Sequence, residues 1–92
     1  MKKNNRYEFL SPEILDQAVW EQVKFAIMLQ IVMSKFAADA GLRAKLLATD
    51  DRVLIEGNTW GDRYWGAELV EAVWVGENML GRVLMGVRER LR

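Results

Sequence analysis

Apolar residues recur at three- and four-residue steps from Ile14 to Phe36, passing through Ala18, Val19, Phe25, Ile31 and Val32. That period predicts a long helix. Ser11-Pro12-Glu13 supplies its start, with serine as N-cap, proline at the first helical position and an acid in the first turn. Asp16 adds a carboxylate near the positive end of the helix. The helix is expected to run to about Ala38. Its middle is apolar on most sides, which places it at the centre of its domain or beneath a partner. Residues 1–10 read as an N-terminal arm.

Gly41 marks a break, and Ala40 to Thr49 predicts a second, short helix with Leu42, Leu46 and Leu47 as its candidate inward-facing residues. Thr49-Asp50-Asp51 reads as a turn. Val53-Leu54-Ile55-Glu56 has the β-branching and apolar run of a short strand, and Gly57 to Gly61 reads as a loop. Ala67 to Val75 fits two patterns, a helical turn around Glu68 and Glu71 or a strand at Val73-Trp74-Val75. Asn78 then opens a final helix to about Leu91, with Leu80, Val83, Leu84, Val87 and Leu91 as its inner stripe. Gly81 and Gly86 lie inside that helix at a cost of roughly 1 kcal/mol each against alanine, so another backbone or a ligand is expected to approach it closely. The fold class that follows is mainly α: a small helical domain with one long N-terminal helix, a short helix, a short strand and loop segment, and a C-terminal helix. Residues 11–92 form one domain.

Composition narrows the function. The chain is 51% hydrophobic with four tryptophans, enough for a core. Thirteen basic residues balance thirteen acidic ones, which argues against an extended nucleic-acid surface but leaves room for a pocket holding one or two phosphates. There is no cysteine and no histidine, so zinc, haem and Ser-His or Cys nucleophile chemistry lose their usual ligands and bases. Acid–base work falls to carboxylates, lysine or tyrosine. The run Phe25 to Met33 is too short for a bilayer, which needs about 20 residues. The N-terminus MKKNNRYEF has no apolar signal region. A soluble, cytoplasmic protein without metal is expected.

The segment Asp62 to Gly66, DRYWG, carries the sharpest chemical signal. The carboxylate of Asp62 can hold or activate a polar group, Tyr64 and Trp65 supply flat apolar walls, and glycine admits a ligand to the backbone. The other reading makes Asp62 a cap for the following turn and Trp65 core filler. Trp20 and Lys24 stand one helical turn apart on the same side, suiting a stacked base and a phosphate, or a core aromatic with lysine extending past it. The N–H groups around Asn78 suit a phosphate or a carboxylate, though Glu77 sits at the same end. Arg82, Arg88, Arg90 and Arg92 read as a solvated face, and Met28 and Met33 as core filler.

Read in order, these pieces resemble the C-terminal half of the NADAR (YbiA-like) family. The matching residues are Trp20, Lys24, Met28 and Lys35-Phe36, then Leu46-Leu47-Ala48-Thr49, Leu54-Ile55-Glu56 and Asp62-x-x-Trp65-Gly66. Asn78, Leu80-Gly81, Leu84-Met85 and Arg88 complete the set. The resemblance is collinear from about Trp20 to Leu91. It implies a mostly helical fold and an N-glycosidase that cleaves a ribosyl C–N bond, with no cofactor. The substrates it implies are phosphorylated ribosylamino pyrimidines of riboflavin synthesis or ADP-ribosylated guanine. Trp20 and the Asp62/Trp65 cluster would line the site, with Asp62 polarising water or stabilising the ribosyl cation and Lys24 or Arg63 holding phosphate. A non-catalytic module that binds ADP-ribose-like ligands, or a plain helical interaction module, stands beside that reading. The family's Glu-His-Tyr/Phe-x-Gln segment has no counterpart here, and Ala67 to Val75 is apolar where the family is glycine-rich. Half a fold with an exposed apolar helix is expected to pair, with itself or with a separately encoded N-terminal half.

Overall fold

The computed structural model describes residues 17–92. The expected arm, the Ser11-Pro12-Glu13 helix start and Asp16 lie outside the described residues. The long helix is α1, Gln17–Ala38. It is followed by α2, Ala40–Leu47, and the chain turns by 110° between them. The break sits at Asp39 rather than at Gly41, which lies within the first turn of α2. Asp39 adopts extended angles (φ −122°, ψ 103°) and its carboxylate accepts the N–H of Leu42 at 3.0 Å, a side-chain cap that a single acidic residue supplies without help from glycine.

After α2 the chain turns through Ala48 to Asp51 and then runs without regular structure. The strand expected at Val53–Glu56 does not form. Its backbone groups are claimed by a side chain instead: Asn78 donates to the Leu54 carbonyl at 2.8 Å and accepts the Glu56 N–H at 2.8 Å. One parallel bridge, Gly57 with Ala67, follows and does not propagate. The ambiguous segment resolves as an antiparallel hairpin, β1 Glu68–Val70 and β2 Val73–Val75, in register Leu69 opposite Trp74. Glu71 and Ala72 turn it with φ of 47° and 67°, the paired positive angles of a tight hairpin.

Neither Glu71 nor Ala72 favours that region, where an L-residue is held at about 1–2 kcal/mol. Ala72→Gly is therefore expected to stabilise the fold by about 1 kcal/mol, or about 5 °C in Tm for a chain of this size. Thermal unfolding followed by circular dichroism checks it. An unchanged or lowered Tm would show that the turn is not what limits the hairpin.

The last helix, α3, is Met79–Leu91. Its inner stripe falls as the periodicity predicts. Val83 and Val87 are fully buried, and with Val32 of α1 and Leu46 of α2 they form the core. Phe25, Met28, Leu29 and Phe36 of α1 pack against that core from one side, and Leu54, Leu80 and Leu84 close it. Arg88 does not join the solvated arginines. It is buried, and its guanidinium donates to the Thr49 hydroxyl and to the Arg52 carbonyl, both at 2.9 Å, tying α3 to the turn after α2. A buried guanidinium persists only with such acceptors.

Candidate functional site

Asn58 organises the loop that carries the site. It is buried, and its side-chain oxygen accepts the N–H groups of Trp60 (3.2 Å) and Asp62 (3.0 Å) while its amide donates to the Asp62 carbonyl at 2.7 Å. The loop is thereby closed on itself by one side chain. Asp62 takes over where Asn58 ends: its Oδ1 accepts the N–H groups of Tyr64 (3.0 Å) and Trp65 (2.9 Å). So Asp62 does cap the following turn. The geometry commits one carboxylate oxygen to the backbone and leaves Oδ2 without a hydrogen bond among the described residues. Gly66 closes the turn where a Cβ would lie 2.3 Å from the Glu56 carbonyl oxygen, a space that only glycine allows.

The turn is seated on the start of α3. The N–H groups of Glu77, Asn78, Met79 and Leu80 donate to the carbonyls of Arg63, Gly66, Tyr64 and Trp65 at 2.8–3.1 Å. The donors that made this helix start look like an anion site are filled by the chain itself. The Asn78 side chain is likewise occupied, at both ends of its amide, by Leu54 and Glu56. Arg63 pairs with Glu68 at 2.9 Å, on the side of the hairpin.

Four of the expected residues do converge. The Lys24 ammonium lies 4.0 Å from the centre of the Tyr64 ring and 5.8 Å from that of Trp20. Tyr64 meets Trp65 edge to face at 4.9 Å. Trp20 is 44% exposed, so it is not core filler. Each cation–π contact contributes roughly 0.5–2 kcal/mol and fixes the lysine over the rings. No carboxylate pairs with Lys24 among the described residues, so its charge is available to an anion. The Tyr64 hydroxyl is buried and has no hydrogen-bond partner among the described residues. The cluster thus offers a cation, an exposed indole and a tyrosine ring, beside the turn that holds Asp62. Among the described residues no three His, Cys, Asp or Glu side chains are grouped to hold a metal ion, and no single helix is long and apolar enough to cross a membrane.

Sequence reasoning missed a second recess. Gly57, Asn58, Trp60, Glu68, Leu69 and Trp74 line an open cleft of about 660 Å³. Trp74 lies against Gly57, where a Cβ would come within 2.9 Å of its ring, and Trp60 is 77% exposed. The signal that could have found it is the Asn-Thr-Trp-Gly order, since Asn58 at a loop start commonly bonds the backbone two residues on.

The NADAR domain description matches residues 2–92. The chain is 42% identical over 73 residues to an N-glycosidase of Nostoc punctiforme, covering 79% of this chain and 44% of that protein. It is 43% identical over 72 residues to the N-glycosidase YbiA of Escherichia coli, covering 78% and 42%. A riboflavin biosynthesis protein of Vibrio vulnificus is 38% identical over 73 residues, covering 79% of this chain and 19% of that protein. The chain spans less than half the length of these relatives. No solved structure matches it.

Proposed function

This chain belongs to the NADAR domain family, and on that footing we propose that it is an N-glycosidase, or the portion of one, that hydrolyses a ribosyl C–N bond in a nucleotide-like or ADP-ribosylated substrate. The observation that carries the reading is the convergence of Lys24 on the Tyr64 and Trp20 rings beside the Asp62 turn. Relatives named as N-glycosidases support it.

In this reading Trp20 stacks on the heterocycle and Lys24 meets a phosphate. Cleavage breaks the bond from the ribose carbon to nitrogen, and the electron pair leaves with the base. Water adds to the carbon and its proton passes to the base nitrogen. The positive charge that builds on the ribosyl group calls for a nearby anion, and the uncommitted Oδ2 of Asp62 fits that role.

One observation favours a second reading, a module that binds the same ligand without cleaving it: Asp62 Oδ1 already serves two backbone N–H groups, as a purely structural cap would. Asp62→Asn separates the two, because asparagine retains the accepting oxygen and removes the charge. The chain is incubated with ADP-ribosyl-guanine or a ribosylamino-pyrimidine phosphate, released base is measured, and binding is followed by calorimetry. Base release is expected, and is expected to vanish in Asp62→Asn while binding persists. Lys24→Met is expected to weaken binding about tenfold, or about 1.4 kcal/mol. Saturable binding without release selects the binding module. Neither binding nor release leaves a helical interaction module.

A further inference from the structure

The turn from Asp62 to Ala67 is wrapped around one buried amide. Asn58 is 8% exposed, and each polar atom of its side chain is in use. Its Oδ1 accepts the N–H groups of Trp60 and Asp62, and its Nδ2 donates to the Asp62 carbonyl at 2.7 Å. The same nitrogen lies 3.5 Å from the Ala67 carbonyl. These four contacts match the two acceptor positions and two donors of an asparagine amide. Gly66 makes room for it, since a Cβ there would stand 2.7 Å from Nδ2. The main chain holds the same register: the Asn58 N–H donates to the Ala67 carbonyl at 3.0 Å, and the Ala67 N–H to the Glu56 carbonyl at 2.9 Å.

One side chain therefore grips Asp62 at both its N–H and its carbonyl. The Asp62 carboxylate in turn commits Oδ1 to the N–H groups of Tyr64 and Trp65. With the main chain fixed and one oxygen pinned, neither side-chain torsion is free, and Oδ2 keeps a single direction. We infer that Asn58 is a positioning residue for Asp62: it aims Oδ2 without touching the substrate. The inference rests on the proposed hydrolysis, in which that oxygen faces the ribosyl group. Asn58 has no hydrogen-bonding capacity left for a ligand, whereas the half-buried Asp62 has one oxygen to spare. A preorganised charge acts only while it keeps its aim, and a misplacement of about 1 Å costs about a hundredfold in rate. The binding groups of the cluster do not depend on Asn58. Trp20 and Lys24 stand on α1, and the carbonyls of Tyr64 and Trp65 are held by Met79 and Leu80. Loss of Asn58 thus falls on kcat and leaves KM in place.

Asn58→Ala is compared with the parent on ADP-ribosyl-guanine, and amide hydrogen exchange is followed by NMR in both. In the variant, kcat for base release is expected to fall about a hundredfold with KM within about twofold. The N–H groups of Tyr64 and Trp65 report whether Oδ1 stays seated, and are expected to exchange about tenfold faster. Those of Val83 and Val87 in the core keep the parent's rates. Where alanine does not fold, Asn58→Asp serves: it keeps the accepting oxygen but turns a second oxygen on the Asp62 carbonyl, and kcat is expected to fall about tenfold at unchanged KM. An unchanged kcat would overturn the inference. So would a KM that rises as far as kcat falls, because Asn58 would then merely keep the loop folded. A parent chain that releases no base removes the hydrolysis but not the hold on Asp62. Exchange then decides alone: faster rates at Tyr64 and Trp65 support that hold, and rates equal to the parent's overturn it.

Discussion

Replacement of Asn78 by alanine is expected to cost the fold about 2 kcal/mol. Among the described residues the Asn78 amide supplies the hydrogen bonds between the start of α3 and the extended stretch at Leu54 and Glu56, bonding both, each at 2.8 Å. Alanine leaves the half-buried Leu54 carbonyl without that partner, at roughly 1 kcal/mol, while the exposed Glu56 N–H turns to water. The backbone adds to that. Asn78 holds φ at 54°, a left-handed angle that asparagine tolerates and alanine resists by roughly 1 kcal/mol. Asn78→Gly isolates the second part, and is expected to recover about 1 kcal/mol relative to alanine. Urea unfolding of the three proteins checks it. An alanine variant within 0.5 kcal/mol of the parent would show that the amide bonds are dispensable.

Gly81→Ala is expected to destabilise by about 3 kcal/mol, and so to reverse the usual sign of that change in a helix. A Cβ at Gly81 would stand 2.3 Å from the Leu54 carbonyl oxygen and 2.4 Å from the Asn78 amide. One of these neighbours is main chain, and the other is pinned at both ends, so neither gives way cheaply. Gly86 supplies the contrast. Its Cβ would meet only the tips of Leu29 and Arg90, at 3.5 and 3.6 Å. Gly86→Ala should therefore gain the ordinary helix preference, about 0.5–1 kcal/mol. Opposite shifts in Tm for the two alanine variants are the expected result. Equal shifts would refute the close approach at Gly81. The Gly81 and Asn78 losses are not expected to add, because both act on the Leu54 carbonyl.

Much of this architecture was readable beforehand, for reasons that differ by element. The inner stripe of α3 and the apolar run of α1 follow from a period that any core helix must show. Trp20 and Lys24 were placed together by helical spacing alone. What spacing cannot reveal is that Tyr64, forty positions further on, comes to lie under the same ammonium. Val53–Glu56 had the composition of a strand but found no neighbouring strand, and an asparagine side chain took its hydrogen bonds. Arg88 was hidden within a basic run whose other members are surface charges. The hairpin turn escaped notice because Glu71-Ala72 lacks the Asn-Gly signature that such turns prefer. The Asp62 turn was legible as a cap and as a site, and the geometry assigns one oxygen to the first role.

The bonds from Met79 and Leu80 to the carbonyls of Tyr64 and Trp65 have a kinetic consequence. The segment bearing those rings cannot swing open without fraying the first turn of α3, so it does not serve as a lid. The tyrosine and tryptophan thus keep their places as long as the helix start is formed, and the half-buried Lys24 chain of α1 is the part of the cluster held by side-chain contacts alone.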